Sequence, residues 1–141
     1  MEIDANMRRE IILDNYQFPE NKGLVEDERY LKVRTNNSSC IDDLNIMVLE
    51  ENGIIKDIRF DGEACAISTS ATSIMIKTFT GKTLEEAKTI LSNYEAMIEE
   101  EPYDKTILGE LNVYNEIYKQ PNRKKCALLP FKAIHQILES K

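Results

Sequence analysis

Apolar residues recur at helical spacing from residue 5 to residue 17, where Met7, Ile11, Ile12 and Tyr16 share one face and Asp4 occupies an N-cap position. Pro19, Asn21 and Gly23 then break the pattern, and an irregular segment leads to extended alternation at Tyr30-Leu31-Lys32-Val33-Arg34-Thr35. Two further runs, residues 44 to 50 and 54 to 60, are rich in Ile, Leu, Val and Met and flank Glu51-Asn52-Gly53. Asn-Gly between such runs signals a tight hairpin turn. The connections are too short for parallel crossovers, so a three-stranded antiparallel sheet is predicted.

Beyond Asp61-Gly62-Glu63-Ala64-Cys65 the period changes to about 3.6, with Ile67, Ala71, Ile74, Met75 and Thr78 on one face. Cys65 therefore stands at a helix N-terminus, where the dipole and free N–H groups favour a thiolate; a small buried residue is the competing reading. Gly81 ends this helix, and Thr83-Leu84-Glu85-Glu86 has capping-box spacing for the next, whose stripe is Leu84, Ala87, Ile90, Leu91, Tyr94 and Ile98. Its Glu99-Glu100-Glu101 end reads as solvated surface. After Pro102 a short helix is expected to carry Leu111, Tyr114 and Tyr118, with the local tyrosines used for packing. Because proline is tolerated in the first turn, Pro130 predicts that the last helix starts between Cys126 and Leu129. His135 then falls inside it as a surface or half-buried residue.

Composition narrows the function classes. The 141 residues, 42% of them hydrophobic, suit one domain over residues 1–141. A net charge of -7 argues against phosphate backbones and anionic membranes, so neither a nucleic acid nor a membrane is an expected partner. The first twenty residues are charged throughout, no apolar run reaches spanning length, and the cytoplasm is the expected location.

Three cysteines are an odd number and too few for a disulfide framework, which favours metal binding or thiol chemistry. Cys40, Asp42, Cys65 and Cys126 each stand in a turn or at a predicted helix start, and such a set can close a tetrahedral zinc site. Asp43 competes with Asp42, although in extended backbone Asp42 faces the same side as Cys40. Arg123-Lys124-Lys125 immediately before Cys126 is expected to lower its pKa. The Ser and Thr residues at 68 to 73 have no base beside them in sequence, and capping or packing accounts for them.

The chain resembles the IscU and SufU family of iron–sulfur assembly proteins, related to the NifU N-terminal region, and most closely the SufU type. The matching residues are Ile12-Leu13-Asp14-Asn15-Tyr16 with Pro19 and Asn21-Lys22-Gly23, the Cys40 turn, Asp57 through Ser68, Gly81-Lys82-Thr83, Tyr103-Asp104, and Arg123-Lys124-Lys125-Cys126-Ala127. The long stretch from Cys65 to Cys126 holds an extra helical segment, the Leu-Pro-Pro-Val-Lys chaperone motif of IscU proteins is absent, and Lys125 stands where IscU proteins have histidine.

The resemblance implies an α+β fold, a three-stranded antiparallel sheet packed by about five helices, with zinc held by Cys40, Asp42, Cys65 and Cys126. It further implies that Cys40 accepts persulfide sulfur from a PLP-dependent cysteine desulfurase and delivers it to downstream iron–sulfur assembly proteins, with Arg123 assisting near the metal. Two alternatives stand beside this: a scaffold carrying a transient iron–sulfur cluster, and a non-catalytic zinc-stabilised interaction module. The family turn reads Asn-Pro-x-Cys-Gly-Asp, whereas here Ser38 replaces the proline and Ile41 the glycine, which predicts a changed backbone around Cys40. Asn15 and Glu20 likewise replace the family's histidine and arginine.

Overall fold

The computed structural model describes residues 3–37 and 41–141. Helix α1 covers Ala5–Gln17, and the Asp4 carboxylate accepts the Met7 N–H at 2.8 Å, the N-cap its sequence position predicts. Strands β1 (Leu31–Asn36), β2 (Asp43–Glu51) and β3 (Ile54–Glu63) form an antiparallel sheet in the order β1-β2-β3. Asn52 and Gly53 both take positive φ, 54° and 78°, which is what a two-residue turn matched to strand twist demands. Leu44, Ile46 and Val48 on β2 and Ile58 and Phe60 on β3 alternate into the core.

Neither end of β3 is left as a bare edge. The Gly23 N–H donates to the Phe60 carbonyl at 2.6 Å, and near the hairpin the Ile55 N–H donates to the Lys82 carbonyl while Gly81 donates back to Ile55. Pairing these groups removes the open backbone that would otherwise invite association.

Helix α2 (Ala66–Phe79) runs through the middle and is buried on every side from Ser68 to Ile76. Its hydroxyls are therefore satisfied internally: Ser70 pairs with the Tyr114 hydroxyl, and Thr72 donates to the Ser68 carbonyl. Ser73 donates to Asn15 Oδ1 at 2.7 Å and accepts the Glu20 N–H at 2.9 Å, so the family-divergent Asn15, itself buried, ties α1 to α2. Helix α3 (Leu84–Ile98) starts with the complete Thr83/Glu86 capping box. Three 3₁₀ segments, Lys105–Ile107, Gly109–Tyr114 and Ile117–Lys119, follow in place of the single short helix expected for Leu111 to Tyr118, and bring Tyr114 edge-on to Tyr94. The sheet, four α-helices and the six-residue 3₁₀ helix make up the expected α+β architecture.

The last helix departs from expectation. Helix α4 spans Pro121–Glu139, so Pro121 takes the first-turn position and Pro130 lies at its tenth residue. The carbonyl that loses its helical donor to Pro130 is that of Cys126, which accepts the Ser68 hydroxyl at 3.0 Å, while Tyr94 donates to the adjacent Ala127 carbonyl at 2.7 Å and Thr35 to the Leu129 carbonyl at 3.0 Å. Phe131, beside the proline, stacks on Tyr94 with centroids 4.0 Å apart and meets Phe79 edge-on, so tertiary packing holds the interrupted helix together. Among the described residues no helix is long and apolar enough to cross a membrane.

His135 lies partly exposed between α3 and α4, its Nδ1 3.4 Å from Glu95 and its Nε2 2.8 Å from Glu139. Glu139, then Glu95, raises its pKa above the ordinary 6.5 against the opposing effect of burial. A raised cationic pKa gives stability that is fully present below pH 6.5 and fades as pH rises through the folded value. At this exposure the effect should be about 0.2–1 kcal/mol. Thermal melts of wild type and His135→Gln should differ most at acidic pH and converge above neutrality; a constant gap would assign the difference to packing.

Candidate metal centre

The sheet and two helices bring Asp42, Cys65 and Cys126 to one point, their ligand atoms all within 4.8 Å of one another. Asp42 immediately precedes β2, Cys65 is the N-cap of α2, and Cys126 is the sixth residue of α4. Gly62 makes the convergence possible. At φ +118° and with a Cβ position only 2.1 Å from the Asp43 carbonyl oxygen, it accepts neither the conformation nor the bulk of an L side chain. Its absent side chain lets β3 close against β2, which delivers Cys65 to Asp42.

Asp42 is 1% exposed and fully engaged. Its Oδ1 accepts the Cys65 N–H at 2.7 Å, its Oδ2 accepts the Ser68 hydroxyl at 2.7 Å, and Cys65 Sγ lies 3.7 Å from Oδ2. Burial opposes its charge, but hydrogen bonds from the Cys65 N–H, the Ser68 hydroxyl and the two thiols outweigh that and hold the carboxyl below its ordinary 3.8. The carboxylate also faces the positive end of α2. Asp43 points elsewhere, with Oδ1 and Oδ2 paired to the Arg34 guanidinium at 2.8 and 2.6 Å on the exposed edge. In extended chain adjacent side chains face opposite ways, and here that places Asp42 inward and Asp43 outward.

Cys65 Sγ accepts the Ser68 N–H at 3.4 Å, so the thiol performs the capping role that Ser or Asp usually fills. Cys126 is 1% exposed and stands in the second turn of α4 rather than at a helix start. Its pKa moves opposite to the expectation from the basic trio. Burial, then the neighbouring Cys65, pushes the thiol up to about 12, and the Arg123 side chain only partly counters this. Desolvation dominates because the sulfur is inside the protein, whereas one of the three cations, Lys124, is turned outward to Glu99 at 3.5 Å. A thiol held protonated by burial is a donor that a metal ion would deprotonate.

Two sulfurs and a carboxylate are the ligand types of a zinc site. Tetrahedral zinc bonds of about 2.0–2.3 Å set ligand atoms roughly 3.3–3.8 Å apart, so the observed grouping is near ligating separation. The three residues accordingly fit such an ion and leave a fourth position. Cys40, the expected fourth donor, and Ser38 lie outside the described residues. Ile41, after them, is 70% exposed. The Asn37 N–H donates to the Asp42 carbonyl at 3.0 Å and pins together the two ends of this loop.

Sequence reasoning missed Ser68. Its position three residues after Cys65, in the first turn of α2, was the available signal, but only the fold shows its hydroxyl between Asp42 and Cys126.

Comparisons with known proteins agree with this architecture. The chain is 33% identical over 140 residues to the zinc-dependent sulfurtransferase SufU of Bacillus subtilis, covering 96% of this chain and 94% of that protein. It is 29% identical over 133 residues to the iron–sulfur cluster assembly scaffold protein IscU of Thermotoga maritima, covering 94% and 93% of the two chains. The crystal structure of a candidate iron–sulfur cluster assembly scaffold protein for the SUF system of Fervidobacterium islandicum AW-1 superposes with a TM-score of 0.88 at 31% identity, covering 96% of this chain and 99% of that one. Residues 7–127, including the sheet and all three of Asp42, Cys65 and Cys126, match the family model for the NifU-like N terminal domain, and the chain belongs to that family.

Proposed function

We propose that the protein acts in iron–sulfur cluster assembly as a zinc-dependent sulfur acceptor, taking persulfide sulfur from a PLP-dependent cysteine desulfurase through Cys40 and passing it to downstream assembly proteins. The observation that carries this reading is the convergence of Asp42, Cys65 and Cys126, with Cys40 two residues before Asp42 in sequence. The Bacillus subtilis relative, described as a zinc-dependent sulfurtransferase, supports it.

When bound, zinc would supply the positive charge that keeps its thiol ligands deprotonated. The chain's own residues do the rest. Asp42, held at both oxygens, presents a fixed anionic donor, and the half-buried Cys65 and buried Cys126 supply the two sulfurs beside it. Cys40 stands two residues from Asp42 in sequence, at most about 7 Å of extended chain, a tether short enough for its thiol to serve as the fourth donor. In transfer, the Cys40 thiolate attacks the outer sulfur of the desulfurase persulfide. The S–S bond of that persulfide breaks, the desulfurase cysteine leaves as a thiolate, and Cys40 carries the persulfide, with no external oxidant or reductant needed. Arg123, beside Cys126, offsets negative charge as the two anionic sulfurs approach. An open, largely apolar depression of about 490 Å³, lined by Ile12, Leu13, Tyr16 and Ala66 with Arg8 and Arg9, reaches the residue after Cys65 and offers the desulfurase a surface near the ligand cluster.

The test is to purify the protein without reconstitution, identify its metal, and measure cysteine desulfurase turnover with wild type and Cys40→Ala. Bound zinc with stimulation that Cys40→Ala abolishes is the expected result. A reducible iron chromophore would favour the scaffold reading, and zinc without stimulation a non-catalytic interaction module. Stimulation surviving in Cys40→Ala would overturn sulfur transfer through that residue.

A further inference from the structure

The Cys126 carbonyl cannot receive the ordinary helical hydrogen bond, because the residue four places on is Pro130, which has no N–H. The group that meets it instead is the Ser68 hydroxyl, at 3.0 Å. The same hydroxyl lies 2.7 Å from Asp42 Oδ2. Ser68 is fully buried, and a hydroxyl has one proton to donate, so two acceptors on two candidate metal ligands share a single donor. The shorter distance is to the carboxylate, the stronger acceptor of the two. The other buried serines of α2 are committed elsewhere, Ser70 to Tyr114 and Ser73 to Asn15.

We infer that Ser68 is a positioning residue of the metal centre, acting through Asp42. With Oδ1 held by the Cys65 N–H and Oδ2 by Ser68, the carboxylate cannot rotate, and the oxygen turned toward Cys65 Sγ is fixed. Pro130 leaves the Cys126 carbonyl open, so the single Ser68 proton is shared with an acceptor that competes with Asp42. Orientation of the carboxylate and placement of the Cys126 backbone are thereby joined through one hydroxyl. The inference rests on the metal-centre reading and extends it to residues outside the ligand set.

Cobalt(II), whose visible bands report ligand geometry, is the probe, titrated into the metal-free full chain and competed with zinc. Ser68→Ala should bind about 10–100-fold more weakly, as is usual when a ligand loses its hydrogen-bond partner, with altered cobalt bands. Pro130→Ala returns an N–H to the Cys126 carbonyl and should bind at least as tightly as wild type. The Pro130→Ala/Ser68→Ala variant separates positioning from folding, since its carbonyl no longer needs the hydroxyl. It should melt closer to wild type than Ser68→Ala alone yet keep the weakened binding. Unchanged affinity and bands in Ser68→Ala, or recovery of wild-type affinity in the double variant, would overturn the inference. Failure of wild type itself to bind cobalt or zinc would instead overturn the metal centre.

Discussion

Asp42→Asn should leave a folded protein that has lost more than about 100-fold in zinc affinity, a larger loss than the roughly tenfold to 100-fold typical of residues that only support a ligand. Asparagine keeps the shape of aspartate. Its Oδ1 can still accept the Cys65 N–H, and its amide can donate to Ser68 Oγ, whose proton then turns to the Cys126 carbonyl. Every buried polar group stays satisfied, so the metal-free protein should melt close to wild type. What disappears is the anionic donor in the middle of the site. Asp43→Asn is the matched control: it breaks only an exposed pair with Arg34 and should bind zinc as wild type does. Chelator competition measures both. Equal losses in the two variants would refute the assignment of Asp42 as the inward carboxylate.

Gly62→Ala should be among the most damaging single methyl additions in the chain. The new Cβ would stand 2.1 Å from the Asp43 carbonyl oxygen, a backbone atom that cannot move aside without separating β2 from β3, and φ +118° is itself unfavourable for alanine. Strain and overpacking together should cost about 3 kcal/mol or more, a large part of the roughly 5–15 kcal/mol that stabilises a typical domain. Because the clash falls on the residue beside Asp42 and three before Cys65, zinc binding should fall with stability. Gly53→Ala provides the comparison: it shares a positive φ but has nothing within 4 Å, so it should cost only about 1 kcal/mol. Urea denaturation of the two variants would test this, and a Gly62→Ala midpoint equal to that of Gly53→Ala would show that the close approach is not rigid.

Much of the architecture follows from short-range chemistry. Asp4 and Thr83 cap helices because their side chains reach N–H groups two or three residues on, and Asn52-Gly53 turns the hairpin because both residues tolerate positive φ. Each of these depends on neighbours in the chain, so residue order alone predicts them. The odd cysteine count and the Cys65 helix start have the same local character, and with the family motifs they pointed to a metal site before any contact was known.

What lay beyond that reading depends on groups far apart in the chain. Local rules place Pro130 at a helix start, but the Ser68 hydroxyl on the freed Cys126 carbonyl, with Tyr94, Thr35 and the stacked Phe131 bracing the neighbouring turn, lets α4 run through it. The basic residues before Cys126 suggest a lowered pKa, but burial from surrounding elements outweighs them. Spacing from Cys40 favours Asp42 over Asp43 in extended chain, and the sheet completes the separation by turning Asp43 to Arg34 and Asp42 to Cys65. Ser68 is one of several α2 hydroxyls until the fold sets it between Asp42 and Cys126, 26 and 58 residues away. Backbone conformation is governed by adjacent residues and can be read in order, whereas desolvation and hydrogen-bond competition arise only when distant segments share a volume.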